Sequence, residues 1–236
     1  MVTSGAGPVG TRRVAATREQ ILVAAERLFA EQGTAAVSHR RISEAAGQGN
    51  NTAVGYHFGT KAALVRAIVR KHQERIEHVR GAMADRSDRS TEVRDWVACL
   101  VLPTTRHLAD LGPPTWFGRF SAQIMTDPAY REIAVAESLH SPALLRATDA
   151  LVRCLPELPQ EVRRERRDMS RLLLVHTIAE RERALADGGS TRRASWEQAA
   201  TGLIDAITGL WLAPATPAVP DAAREEIPHG GEEDAS

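Results

Sequence analysis

The chain has 236 residues with 43% apolar, 25% charged and only 4% aromatic content, enough to bury a core of one large or two small domains. Abundant Ala and Arg and scattered β-branched residues favour helix over sheet, so an all-α fold is expected. No run reaches the ~18–20 apolar residues of a membrane span, the start "MVTSGAGPVGTRR" lacks a signal peptide's apolar core, and Cys99 and Cys154 stand alone, so a cytoplasmic protein without a disulfide framework is expected. The formal net charge of zero hides an asymmetry: residues 1–80 hold 12 Lys/Arg against 6 Asp/Glu, the remainder 18 against 24. A polyanionic partner would therefore meet the N-terminal third.

Residues 1–16, rich in Gly, Thr and Arg, read as a disordered basic arm. Arg12 and Arg13 lie in it, with insertion into a minor groove as the alternative to plain disorder. Thr17 and Gln20 form a capping box for a helix whose stripe is Ile21, Ala25, Leu28 and Phe29, closed by Gly33. Ser38 caps a short second helix carrying Arg40, Arg41 and Ile42 and stopped at Gly47. The stretch from Gly47 to Tyr56 then holds three glycines and two adjacent asparagines, with almost no bulk. Thr60 caps a longer helix on which Leu64, Ala67 and Ile68 repeat at helical spacing.

Beyond residue 91 the pattern stays helical and the punctuation is proline. Pro103 is expected to end or kink one helix, and Gly112-Pro113-Pro114 breaks the chain before "TWFGRFSAQIMTD". Ser141 and Pro142 open a further helix as cap and first-turn proline. Two long helical stretches follow, and residues 213–236, with four prolines and six acids against one Arg, read as a disordered acidic tail. Trp96, His107, Trp116, Phe117, Phe120 and Met125 gather the aromatic and polarizable bulk of one region, either ordinary core or the wall of a ligand pocket. His176 and Glu180 stand four apart on one helix face, but without a third ligand they read as a surface pair rather than a metal site. No cofactor motif and no constellation of nucleophile and base is visible, so no enzyme activity is expected.

Two short helices joined by a glycine-containing turn form a helix-turn-helix pattern, whose second helix must enter a major groove about 12 Å wide. Asn50 and Asn51 can pair with adenine edges, the Thr52 methyl can pack on a thymine methyl, and Ala53, Val54 and Phe58 would face inward.

With the first helix ending at Gly33, Ile42-Ser43-Glu44-Ala45-Ala46-Gly47, Tyr56-His57-Phe58, and Lys61 followed by Leu64, the chain resembles the tetracycline-repressor (TetR) family over roughly residues 17–65. It departs from the usual pattern by one extra residue between Gly47 and Val54, and by Gly55 in place of the first aromatic. The resemblance implies a DNA-binding head at 17–65, contacted through Ser38, Arg40, Arg41, Asn50, Asn51, Thr52, Tyr56, His57 and Lys61. It also implies an effector-binding and dimerising domain at 66–212. The function expected from it is a repressor released from a palindromic operator by a small molecule. The alternative is a constitutive DNA-binding protein of the same fold. The last two long helices are the expected homodimer interface, through Leu172, Leu173, His176 and Ala179 on one and Leu203, Ala206, Ile207 and Leu210 on the other.

Overall fold

A computed structural model describes residues 8–50 and 52–216. It places ten α-helices and no strand among them: α1 (Pro8–Gln32), α2 (His39–Ala45), α3 (Ala53–Phe58), α4 (Lys61–Arg86), α5 (Val93–Leu111), α6 (Phe117–Thr126), α7 (Pro128–Ser138), α8 (Pro142–Cys154), α9 (Gln160–Ala186) and α10 (Trp196–Leu212). The all-α expectation holds. Helices α1–α3 form a head closed by the start of α4, and α4 runs on into a body where it packs against α5, α7 and α8. There α10 lies against α5, and α6 is held between α1 and α9. No helix among the described residues is long and apolar enough to cross a membrane.

Several boundaries follow the local signals. Ser38 accepts a hydrogen bond from the Arg41 amide at 3.2 Å, and Thr60 from the Ala63 amide at 3.1 Å, each satisfying a first-turn donor that has no helical partner. Gly33 closes α1 with φ +81°, a backbone region that penalises any residue with a Cβ.

Three expectations are corrected in whole or in part, for identifiable reasons. The first helix begins at Pro8, not at a Thr17 cap, so residues 8–16 are helical. Proline suits a helix's first position, and Arg12, Arg13, Ala15 and Ala16 carry no signal to stop before Thr17. Residues 1–7 of the expected arm and 217–236 of the expected tail lie outside the described residues. Pro103 does not end its helix but sits buried inside α5. Having no N–H, it leaves the Cys99 carbonyl four residues earlier without a helical donor, and Arg80 of α4, 4% exposed, donates Nε to that oxygen at 3.2 Å. Finally, Ser141 does not cap α8 with its side chain. Glu77 of α4 does so instead, accepting from the Ala143 amide at 2.6 Å and from the Ser141 hydroxyl.

The same device recurs twice. Glu182 of α9, 1% exposed, accepts from the amides of Gly118 (3.2 Å) and Arg119 (2.8 Å) at the start of α6. Arg166 of α9 donates to the Trp211 carbonyl at 2.8 Å and the Ala213 carbonyl at 2.6 Å, closing the end of α10. The α6–α9 contact is so close that a Cβ added at Gly118 would stand 2.8 Å from Ile178 Cγ2 and 3.4 Å from the Glu182 carboxylate. Gly118→Ala is therefore expected to destabilise the body by about 1–3 kcal/mol through overpacking, read as a lowered midpoint in denaturant at unchanged slope.

Candidate nucleic-acid interface

The head is built on a continuous buried stripe: Ile21, Ala25, Leu28 and Phe29 of α1, Ile42 of α2, Val54 and Phe58 of α3, and Leu64, Val65 and Ile68 of α4. Ala53, Val54 and Phe58 point inward as expected, which turns the other side of α3 to solvent. Tyr56, 82% exposed, stands farthest out, its ring edge-on to His57 at 5.0 Å between centroids. Gly55 lies on the same open side, with nothing within 4 Å of where a Cβ would be.

The turn ahead of α3 is organised by Asn50. Its Oδ1 accepts from the Thr52 amide at 2.9 Å and the Thr52 hydroxyl at 2.6 Å, an Asx turn in which the side chain imitates a backbone carbonyl. Asn50 and Thr52 are thus already engaged with each other at the start of α3. Asn51 lies outside the described residues. On α2, Ser38 is committed to its cap, Arg40 pairs with Glu44 at 2.9 Å on an exposed face, and Arg41 is exposed. Lys61, half-buried, donates Nζ to the Thr34 carbonyl at 2.8 Å, tying the start of α4 to the α1–α2 turn.

Two side chains of α1 hold α3 and its turn: Arg18, which carries no signal in the sequence, and Gln20, expected instead in a capping box with Thr17. Arg18 lies over the Phe58 ring at 4.3 Å and donates Nη1 to the His57 carbonyl at 3.3 Å, so one guanidinium both stacks on and caps the end of α3. Gln20 accepts from Gln48 Nε2 at 3.0 Å, holding the turn before it. A pairing across 28 or 39 residues has no local signature.

Some of the residues expected to line a pocket make direct ring contacts with one another. His107, Phe117 and Phe120 do: Phe117 lies 6.0 Å from His107 and 6.4 Å from Phe120, and Phe120 stacks on Phe29 of α1 at 6.2 Å. Trp96 is buried in the same hydrophobic core at the start of α5, donating Nε1 to the Ser90 carbonyl at 3.1 Å. Trp116 and Met125 are half-buried against the same core. None of the six lines a surface cleft of about 610 Å³ between α4 and α8 or another of about 580 Å³ at the α8–α9 connection.

His107 belongs to a buried polar chain. His72 of α4, 2% exposed, places Nδ1 at 2.7 Å from His107 Nε2 of α5 and Nε2 at 2.9 Å from Glu26 Oε2 of α1. Phe117 of α6 stacks flat on His72 at 4.0 Å. Burial, then the neighbouring His72, push the His107 imidazole down to about 4, while Glu26 and Asp110 pull the other way and Arg75 adds to the lowering.

A family model described as bacterial regulatory proteins, tetR family, matches residues 21–68. A second, described as the C-terminal domain of tetracyclin repressor-like proteins, matches residues 98–209. The HTH-type transcriptional repressor AcnR of Corynebacterium efficiens is 29% identical over 140 residues, covering 55% of this chain and 59% of that protein. Its counterpart in Corynebacterium glutamicum is 29% identical over 125 residues, 49% of this chain and 54% of that one. The chain thus spans somewhat more than half the length of these curated relatives. A solved structure described as the multidrug binding protein EbrR complexed with imidazole aligns with 84% of this chain and 97% of its own, at 21% identity and a TM-score of 0.49.

The His107 environment sets a pH dependence. An imidazole near its ordinary value of about 6.5 in the unfolded chain binds a proton before the folded one does. Its contribution to stability is therefore complete above about 6.5 and falls away progressively as pH drops toward about 4. Thermal unfolding across that window is expected to show a falling midpoint, with a shallower fall in His107→Gln.

Proposed function

The chain belongs to the TetR family of bacterial regulatory proteins, and from that premise we propose that it is a homodimeric repressor, released from a palindromic operator by a small-molecule effector. Residues 17–65 act as the DNA-binding head and 66–212 as the effector-binding and dimerisation domain. The observation that carries the DNA reading is the two-sidedness of α3. One side is locked into the head's core, and the other offers Tyr56, Gly55 and Thr52, while Arg41 of α2 is also exposed. Exposed cations position such a head on phosphates, and groove-facing side chains specify the sequence. The relatives named transcriptional repressors support the same direction of control.

The dimer reading rests on α9 and α10. Met169, Leu172, Leu173 and His176 form one exposed stripe at helical spacing, and the small, exposed Ala206 and Gly209 line the adjoining side of α10. Leu203 and Ile207, expected at the interface from the sequence, are 4% and 1% exposed within the single chain, where α10 packs on α5. Ala179 is likewise interior. These three belong to the protomer's own core and not to the interface, which is assigned to the residues that remain open.

A constitutive regulator of the same fold remains the second reading. It is favoured by the direct ring contacts of His72, His107, Phe117 and Phe120, which leave an effector no room among those rings unless they part.

Two measurements check the proposal. Replacing Arg41 with Ala is expected to weaken binding to all DNA sequences alike and to make the salt slope of log K shallower by about 0.9 for each phosphate that is no longer neutralised. Charging the α9 stripe with Leu172→Asp and Leu173→Asp should give folded monomers in sedimentation, whereas Leu203→Asp should unfold the protomer.

A further inference from the structure

The buried chain Glu26–His72–His107 links three helices with different duties: α1 of the head, α4 which leaves it, and α5 of the body. All three residues are at most 8% exposed. With Glu26 ionised, it accepts from His72 Nε2–H. His72 Nδ1 is then either an acceptor for His107 Nε2–H or, in the imidazolium, a donor to it. At 2.7 Å the facing nitrogens share a hydrogen rather than a metal ion, since two zinc–nitrogen bonds of about 2.0–2.1 Å at a tetrahedral angle would hold them about 3.3 Å apart.

Three features make this more than a satisfied core. Phe117 stacks flat on His72 and edge-on to His107, so α6 clamps the imidazole pair from the side. Phe120, one turn along α6, stacks on Phe29, three residues after Glu26 on α1. And α6 is itself anchored at its first turn by Glu182 of α9, the helix that carries the exposed dimer stripe. A continuous set of buried contacts therefore runs from α9 through α6 to the head, and the polar chain is its last link. Glu26, His72, Arg75 and Asp110 are the ionisable groups that act on His107, and Glu26 is hydrogen-bonded to His72.

We propose that Glu26, His72 and His107 form a latch that fixes the head's orientation on the body, and so sets the spacing at which two heads meet DNA. The latch positions and makes no DNA contact. It rests on the two-headed reading above, because only a protein with two heads gains from a fixed spacing. With the latch intact, engaging one half-site presents the second head at high effective concentration. With it broken, each head still binds its half-site but the pair no longer arrives in register. Removing any one member breaks the same device, so losses from two members should not add.

The test uses DNA selected from a random pool by the wild-type protein, in a full two-half-site duplex and in a duplex with one half-site destroyed. Glu26→Gln, His72→Gln, His107→Gln and the double variant Glu26→Gln/His107→Gln are measured on both. The latch predicts at least a tenfold loss on the full site for each single variant, affinity for the single half-site unchanged within twofold, and no further loss in the double. Equal losses on both duplexes would mean a damaged head, and wild-type affinity on the full site would mean an inert core pair; either overturns the latch. If the wild type selects no sequence, the DNA reading itself fails. The latch is then judged by hydrogen exchange at the α1–α4 junction, which the variants must accelerate there and not in α9 and α10. Should His72→Gln not fold, His107→Gln, at the body end of the chain, carries the test.

Discussion

A helix end buried inside a protein leaves amides or carbonyls that water cannot reach, and each costs about as much as a broken hydrogen bond unless something meets it. This body is assembled from many helices broken by prolines, so it has many such ends, and the architecture depends on how they are met. Long charged side chains from neighbouring helices supply the partners: Glu77 at the start of α8, Glu182 at the start of α6, Arg166 at the end of α10, and Arg80 at the carbonyl orphaned by Pro103. Carboxylates meet the amide ends and the Arg166 guanidinium meets a carbonyl end, the sense the helix dipole favours, while Arg80 serves a carbonyl freed inside a helix. Each such contact also fixes the relation between two helices, so satisfying the backbone and locking the fold are the same event.

The consequence for function is that helix positions in the body are not independent. Helix α9 carries the open apolar stripe on one face, while Glu182 on its buried side anchors α6. In turn α6 lies against α1 and stacks its aromatic residues on His72 and Phe29. A perturbation of α6 is thereby placed to reach the head, and an effector acting there must favour one head arrangement over another to have any influence. The buried histidine pair makes that linkage directional and specific, because hydrogen bonds tolerate less displacement than apolar contacts do.

What the sequence made legible was local. Ser38 and Thr60 announce their helices, Gly33 and Gly47 end theirs, and the alternation of Ala53, Val54 and Phe58 with Tyr56 gives the two sides of α3. What it hid was carried over long separations. Nothing near Pro103 says that Arg80 will satisfy the carbonyl it frees, so an end or a kink is the expectation there. In α10, Leu203, Ile204, Ile207 and Trp211 are buried, and periodicity alone cannot say whether such a stripe faces the chain's own α5 or a second copy. Asn50 is a residue type that can pair with adenine, and residue type alone does not show that its amide oxygen also serves the turn that starts α3. Glu26, His72 and His107 each look ordinary in sequence, and only the fold brings them into line.

The central claim is that two heads of this chain read DNA together at a fixed separation. Mapping the DNA it protects, genome-wide and at single-base resolution, tests that claim most directly. The account predicts protected sites made of two similar half-sites related by a two-fold axis, their centres one helical turn of about 34–36 Å or a multiple apart. Protection that is independent of sequence, or sites holding a single half-site bound as tightly as any, would contradict it.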